Sequence, residues 1–156
     1  MKILSALLVL ALSLGCARNP PTPATAGSSE ASTASAADDD IREAVFRYQF
    51  EHNASGLQKS AERYCLSVEG DRMPSADFLR RFAGHTPPVT SADQCDRTTG
   101  RDLFFLVKDI QRQGENEVWV RGGYWEGNLS SSGELYIVGR ENGKWVVKES
   151  RMEMIS

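Results

Sequence analysis

Glu134-Leu135-Tyr136-Ile137-Val138-Gly139-Arg140, followed by Asn142-Gly143 and then by Lys144-Trp145-Val146-Val147-Lys148, is the stretch that decides the fold class. Two runs rich in β-branched and aromatic residues flank an Asn-Gly pair. Asn-Gly supplies the two positive-φ positions of a tight hairpin turn, so the segment predicts two antiparallel strands. Working upstream, Glu117 to Trp125 reads as a strand, and Gly127-Asn128 through Ser132-Gly133 as the loop between it and the hairpin. Leu103 to Ile110 is an apolar strand that Gln113-Gly114 can turn. The C-terminal third is therefore expected to be an antiparallel meander.

Further upstream the period changes. Ile41, Ala44, Val45 and Tyr48 recur at helical spacing. Asp40 with Glu43 resembles a capping box, which predicts a helix start at Asp40. Asn53 to Gly56 breaks the pattern. Tyr64, Leu66 and Val68 alternate with Cys65, Ser67 and Glu69 as a short strand. Pro74-Ser75 opens a second short helix carrying Phe78, Leu79 and Phe82, closed by Gly84. His85 to Val89 reads as extended loop, because each proline disfavours helix in the residue before it. The order is helix, strand, helix and meander: an α+β domain with helices packed on a curved antiparallel sheet. The layout resembles the cone-shaped fold of the nuclear transport factor two-like superfamily, with a cystatin-like helix on a sheet as the near alternative. The phrases Tyr64-Cys65-Leu66-Ser67-Val68, Phe82-Ala83-Gly84-His85 and Gly122-Gly123-Tyr124-Trp125-Glu126-Gly127-Asn128-Leu129-Ser130 also resemble a group of small exported bacterial proteins without an assigned activity. Neither resemblance carries a catalytic motif.

The N-terminal end predicts where the domain works. Lys2 precedes an apolar run from Ile3 to Leu14, interrupted only by Ser5 and Ser13. A membrane-spanning helix needs about 20 apolar residues, so this run has instead the length of a signal-peptide core. It ends in Leu12-Ser13-Leu14-Gly15-Cys16. That sequence resembles the lipobox of bacterial lipoproteins, which implies removal of residues 1–15 and acylation of Cys16. The competing readings are an ordinary signal peptide with an incidental cysteine and a buried apolar helix. By the same resemblance, Ala17, which stands where aspartate would favour inner-membrane retention, implies the outer membrane facing the periplasm. In a host with one membrane the destination is the outer leaflet of the cytoplasmic membrane. Residues 17–37 are almost entirely Ala, Ser, Thr, Pro and Gly, with no large apolar side chain to offset ordering entropy. Residues 16–39 are therefore expected to be the lipidated cysteine and a disordered linker, and residues 40–156 a single domain.

Three cysteines occur in the chain. With Cys16 acylated, Cys65 and Cys95 are the only possible pair, and in an oxidising compartment they are expected to form a disulfide. A metal site has no supporting spacing, since there is no Cys-x-x-Cys and only His52 and His85 could join the cysteines. No cofactor is expected. The net charge of −3 is spread over interspersed charges, and no basic stripe suggests nucleic acid.

No motif for a nucleophile or a phosphate-cradling loop is present, and Gly122-Gly123 reads as a bulge or bend inside a strand. Along Val118 to Asn128, strand alternation puts Val118, Val120, Gly122, Tyr124 and Glu126 on one face, and Trp119, Arg121, Gly123 and Trp125 on the other. Two tryptophans with Arg121 between them suggest either the flank of a core or a stacking surface for a ligand or partner. Two functional readings follow. One is a non-enzymatic accessory or binding lipoprotein, attached to the membrane through its lipid and contacting another envelope protein or a small ligand. The other is a small hydrolase, isomerase or lyase whose pocket joins Tyr124, Glu126 and His85. Convergence of those three side chains in one cavity discriminates between them.

Overall fold

The computed structural model describes residues 27–69, 72–127 and 130–155. The leader, Cys16 and residues 17–26 lie outside them. Helix α1 spans Gly27–His52 and α2 spans Ala76–Arg80. The strands are β1 Arg63–Val68, β2 Val89–Ser91, β3 Asp102–Arg112, β4 Glu117–Gly127, β5 Ser130–Glu141 and β6 Lys144–Ile155. They form one sheet in the order β2-β1-β3-β4-β5-β6. The α+β class holds. The sheet is mixed, however, because β1 runs parallel to both β2 and β3.

Helix α1 begins at Gly27 rather than at Asp40, so the latter part of the expected linker is helical. Residues 27–37 include several alanines, the residue with the highest helix propensity, and contain no proline. Asp40 is consequently an interior residue and not a cap. The three aspartates pair with arginines instead: Asp38 with Arg112, Asp39 with Arg42 at 2.9 Å and Asp40 with Arg81 at 2.6 Å. The helix ends at His52, where the Asn53 side chain folds back to donate to the Gln49 carbonyl at 2.8 Å.

One face of α1 carries Ile41, Val45, Phe46 and Phe50, all buried. They pack on the inner face of the sheet, formed by Tyr64 and Leu66 of β1, Leu103, Phe105 and Val107 of β3, Val118 and Val120 of β4, and Tyr136 and Val138 of β5. The rings of Phe46, Phe50, Phe78, Phe82, Tyr64 and Phe105 make a continuous aromatic cluster. Burying each such side chain stabilises the fold by about 2–3 kcal/mol. Helix α2 closes one end of this core; Ser75 caps it by accepting the Phe78 N–H at 3.1 Å.

The turn Asn142-Gly143 has the two positive φ values, 50° and 80°, that its sequence predicts. Two expected loops are shorter than anticipated. Val89, expected to end the loop that starts at His85, opens the short strand β2, and β5 starts at Ser130 within the expected connection after Gly127. Strand β6 also continues beyond Lys148 to Ile155. The expected irregularity at Gly122-Gly123 sits on the neighbouring strand, where the register shifts between Val107 and Ile110. The glycines themselves are needed for close approach. A Cβ on Gly122 would collide with the Leu106 carbonyl oxygen, and one on Gly123 with the Ser132 carbonyl oxygen.

Candidate functional site

Alternation along β4 separates its chemistry-bearing residues as expected, with Tyr124 on the helix side of the sheet and Trp119, Arg121 and Trp125 on the other. Glu126 belongs to the inner group. Its carboxylate accepts the backbone N–H groups of Gly56 at 3.2 Å and Leu57 at 2.9 Å, and the hydroxyls of Ser55 and Ser130. Burial by itself would raise the Glu126 pKa. The Ser130 and Ser55 hydroxyls and the two backbone donors outweigh burial and hold the carboxyl below its ordinary value. Glu126 is thus an anionic clamp on the turn that follows α1.

His85 is elsewhere. Its ring packs on Phe50 and Tyr64, with centroids 4.9 and 5.4 Å away, and its Nδ1 donates to the Pro87 carbonyl at 2.7 Å. His52 stacks on Tyr48 at 4.2 Å at the end of the helix. Tyr124 lines a narrow inner crevice together with Gln49, His52, Glu134 and Tyr136. The structure therefore does not bring Tyr124, Glu126 and His85 into one cavity.

That crevice contains the polar residues that sequence reasoning missed. Gln49, only 2 % exposed, donates from Nε2 to the Leu106 carbonyl at 3.2 Å and to the Tyr136 hydroxyl at 3.2 Å. Glu134 is buried and accepts the Ser132 hydroxyl at 3.1 Å; it makes no ion pair among the described residues. Burial, reinforced by the charge of Glu134, pushes the Tyr136 hydroxyl far above its ordinary pKa, so it stays protonated. Desolvation likewise raises Tyr124. The signal for Glu134 was its place on strand β5, two residues from Tyr136 and four from Val138 and therefore on the same, apolar face. The crevice is too constricted to seat a water molecule, and the buried Gln49 Oε1 beside it has no hydrogen-bond partner among the described residues.

On the outer face, Cys65 and Cys95 are joined in the expected disulfide, with Cα atoms 6.3 Å apart. Cys65, Cys95 and Asp102 form the one cluster of metal-type ligands among the described residues, but both sulfurs are committed to the disulfide. Cys65 pairs in register with Phe104 of β3, and Phe104 with Trp125 of β4. The bridge therefore delivers the segment after Cys95 onto these two rings. Arg97 lies over both, its guanidinium 4.9 Å from the Phe104 centroid and 5.1 Å from that of Trp125. The expected arginine was Arg121, which instead pairs with Glu153 at 3.2 Å. Trp119 donates to Glu117 at 3.1 Å and takes no part in the stack. Beside Arg97 the surface opens into a cleft of about 230 Å³ floored by Ser67, Phe104, Leu106 and Trp125.

No family model, curated protein or solved structure matches the chain. No helix among the described residues is long and apolar enough to cross a membrane.

Proposed function

We propose that this chain is a lipid-anchored binding or accessory module of the cell envelope, held through Cys16 and presenting the outer face of its sheet. The observation that carries the reading is the disposition of its polar side chains. Glu126, Glu134, Gln49 and His85 are engaged with groups inside the fold, whereas the Arg97–Trp125–Phe104 stack borders an open cleft. The leader ending in Leu14-Gly15-Cys16 supports the anchor, and the Cys65–Cys95 bridge suits an oxidising compartment. The outer membrane facing the periplasm is the destination this reading favours.

Labelling with a radioactive fatty acid in the native host tests the anchor. The wild-type chain takes up label and sediments with membranes, and Cys16→Ser accumulates as unlabelled precursor or soluble protein. Equal labelling of both would sink the anchor. Native mass spectrometry of the chain gently extracted from those membranes tests the binding role, through a co-purifying ligand or polypeptide.

The finer fold reading is the cone-shaped, nuclear transport factor two-like layout. The second helix and the parallel strands β1 and β2 support it over a single helix on an antiparallel meander.

A further inference from the structure

The cleft on the outer face has a chemistry of its own. Arg97 is the only charged residue that lines it among the described residues; the remaining lining is Ser67, Ser132, Leu106, aromatic rings and strand backbone. Most arginines of the described residues are spent on carboxylates, among them Arg42, Arg63, Arg81 and Arg121. Arg97 has no hydrogen bond or ion pair among the described residues, only its two ring contacts. The cation is satisfied by the two rings, and its N–H groups have no protein partner among the described residues. A guanidinium presented this way is a planar fork for a carboxylate.

The fork is also held in place. Cys95 is tied to Cys65 two residues before Arg97. Asp96, the obvious local acid, is occupied: its carboxylate accepts the Thr98 N–H at 2.7 Å and the Thr98 hydroxyl at 2.6 Å. The Asp96 N–H donates to Asp102 at 2.8 Å, and buried Asp102 is held in turn by Arg63 at 2.7 and 3.0 Å. The segment therefore cannot easily swing its own acid onto Arg97. Preorganisation of this kind lowers the entropy cost of binding. At about 230 Å³ the cleft is smaller than a drug-sized pocket and matches one apolar side chain.

We infer that the Arg97–Trp125–Phe104 cleft binds a carboxylate borne on an apolar group of side-chain size, with Arg97 as the anion fork and Leu106 and Trp125 as the apolar floor. The inference rests on the binding-module reading, but its test does not involve the anchor. Two sources carry this chemistry, a free small acid and the terminal residue of a peptide.

The test is calorimetric titration of the full chain, disulfide intact, with N-acetylphenylalanine and with its uncharged amide. The acid is expected to bind at least about ten-fold more tightly than the amide, the ratio that a charge-assisted bidentate pair supplies. Arg97→Gln should abolish that preference, and Arg97→Lys should weaken it. Because Arg97 is exposed, both variants should keep the wild-type melting temperature. A tetrapeptide ending in phenylalanine with a free carboxylate separates the sources. Tighter binding than the small acid assigns the site to chain termini, and equal binding assigns it to the acid itself. Equal affinity for acid and amide, no saturable binding of either, or an unchanged preference in Arg97→Gln would each overturn the inference. None of these results depends on whether Cys16 is acylated.

Discussion

The Glu126 carboxylate accepts the Leu57 backbone N–H at 2.9 Å and so ties the end of β4 to the turn that follows α1. The same carboxylate takes the Gly56 N–H and the Ser55 hydroxyl, two further donors of the turn just past the helix. One side chain thereby fixes how the turn after α1 meets the sheet.

Replacing Glu126 by alanine should therefore lower stability by about 2 kcal/mol, since it strands several donors in a partly buried turn. Denaturant unfolding of the two proteins checks this, and a change within experimental error would refute the clamp. The clamp also has a pH signature. The folded carboxyl titrates below its ordinary value, so its contribution is complete above the unfolded pKa of about 4.3 and is lost as pH falls through the lower folded value. Between neutrality and pH 3, the wild type should lose more stability than Glu126→Gln.

The Cys65–Cys95 bridge closes a loop with a sequence separation of 30. Constraining the unfolded chain over that span contributes about 3.5 kcal/mol. Reduction, or paired replacement by serine, should lower the melting temperature by several degrees, and thiol titration of the untreated domain should find neither cysteine free. An unshifted transition after complete reduction would remove the bridge from the stability account.

Gly122 lies under Gln49 and against the Leu106 carbonyl. Gly122→Ala forces the helix or β3 to retreat and is expected to cost about 2 kcal/mol. The amide exchange of β3 and β4 should accelerate with it. Wild-type protection in both strands would mean that the sheet yields more easily than the geometry implies.

Glu134 makes the opposite prediction. A buried carboxylate without a cation carries a desolvation cost that its hydroxyl partner offsets only in part. Glu134→Gln keeps the shape and an acceptor for Ser132 while removing the charge. Equal or higher stability at pH 7 is expected in urea unfolding. A clear loss would show that the anion itself holds this part of the core together.

Much of the inner architecture was readable because it obeys local rules. Asn142-Gly143 announced its hairpin, the spacing of Ile41, Val45 and Tyr48 announced a buried helix face, and alternation sorted Tyr124 from Trp125. What escaped depends on contacts distant in sequence. Strand β2 is three residues long and is held by parallel pairing to β1, which no local period records. The end of β6 alternates charges and methionines along a sheet edge, with Met152 and Met154 exposed, so it lacks the apolar face that marks a strand. Arg121, near Trp125 in sequence, pairs with Glu153, and the arginine over Trp125 is Arg97, which follows the disulfide-linked Cys95. The capping-box pattern at Asp40 was a local rule overridden by a helix that starts earlier and by three long-range or i+3 arginine pairs.

The covalent link between Cys65 and Cys95 also sets an order of events. The loop bearing Arg97 is anchored to the sheet by that link and also by the Asp96 N–H bond to Asp102, itself held by Arg63. A chain whose thiols are still reduced therefore keeps the second fastening and loses the first. The loop is then tied at one point instead of two, and the segment carrying Arg97 gains freedom before the core does.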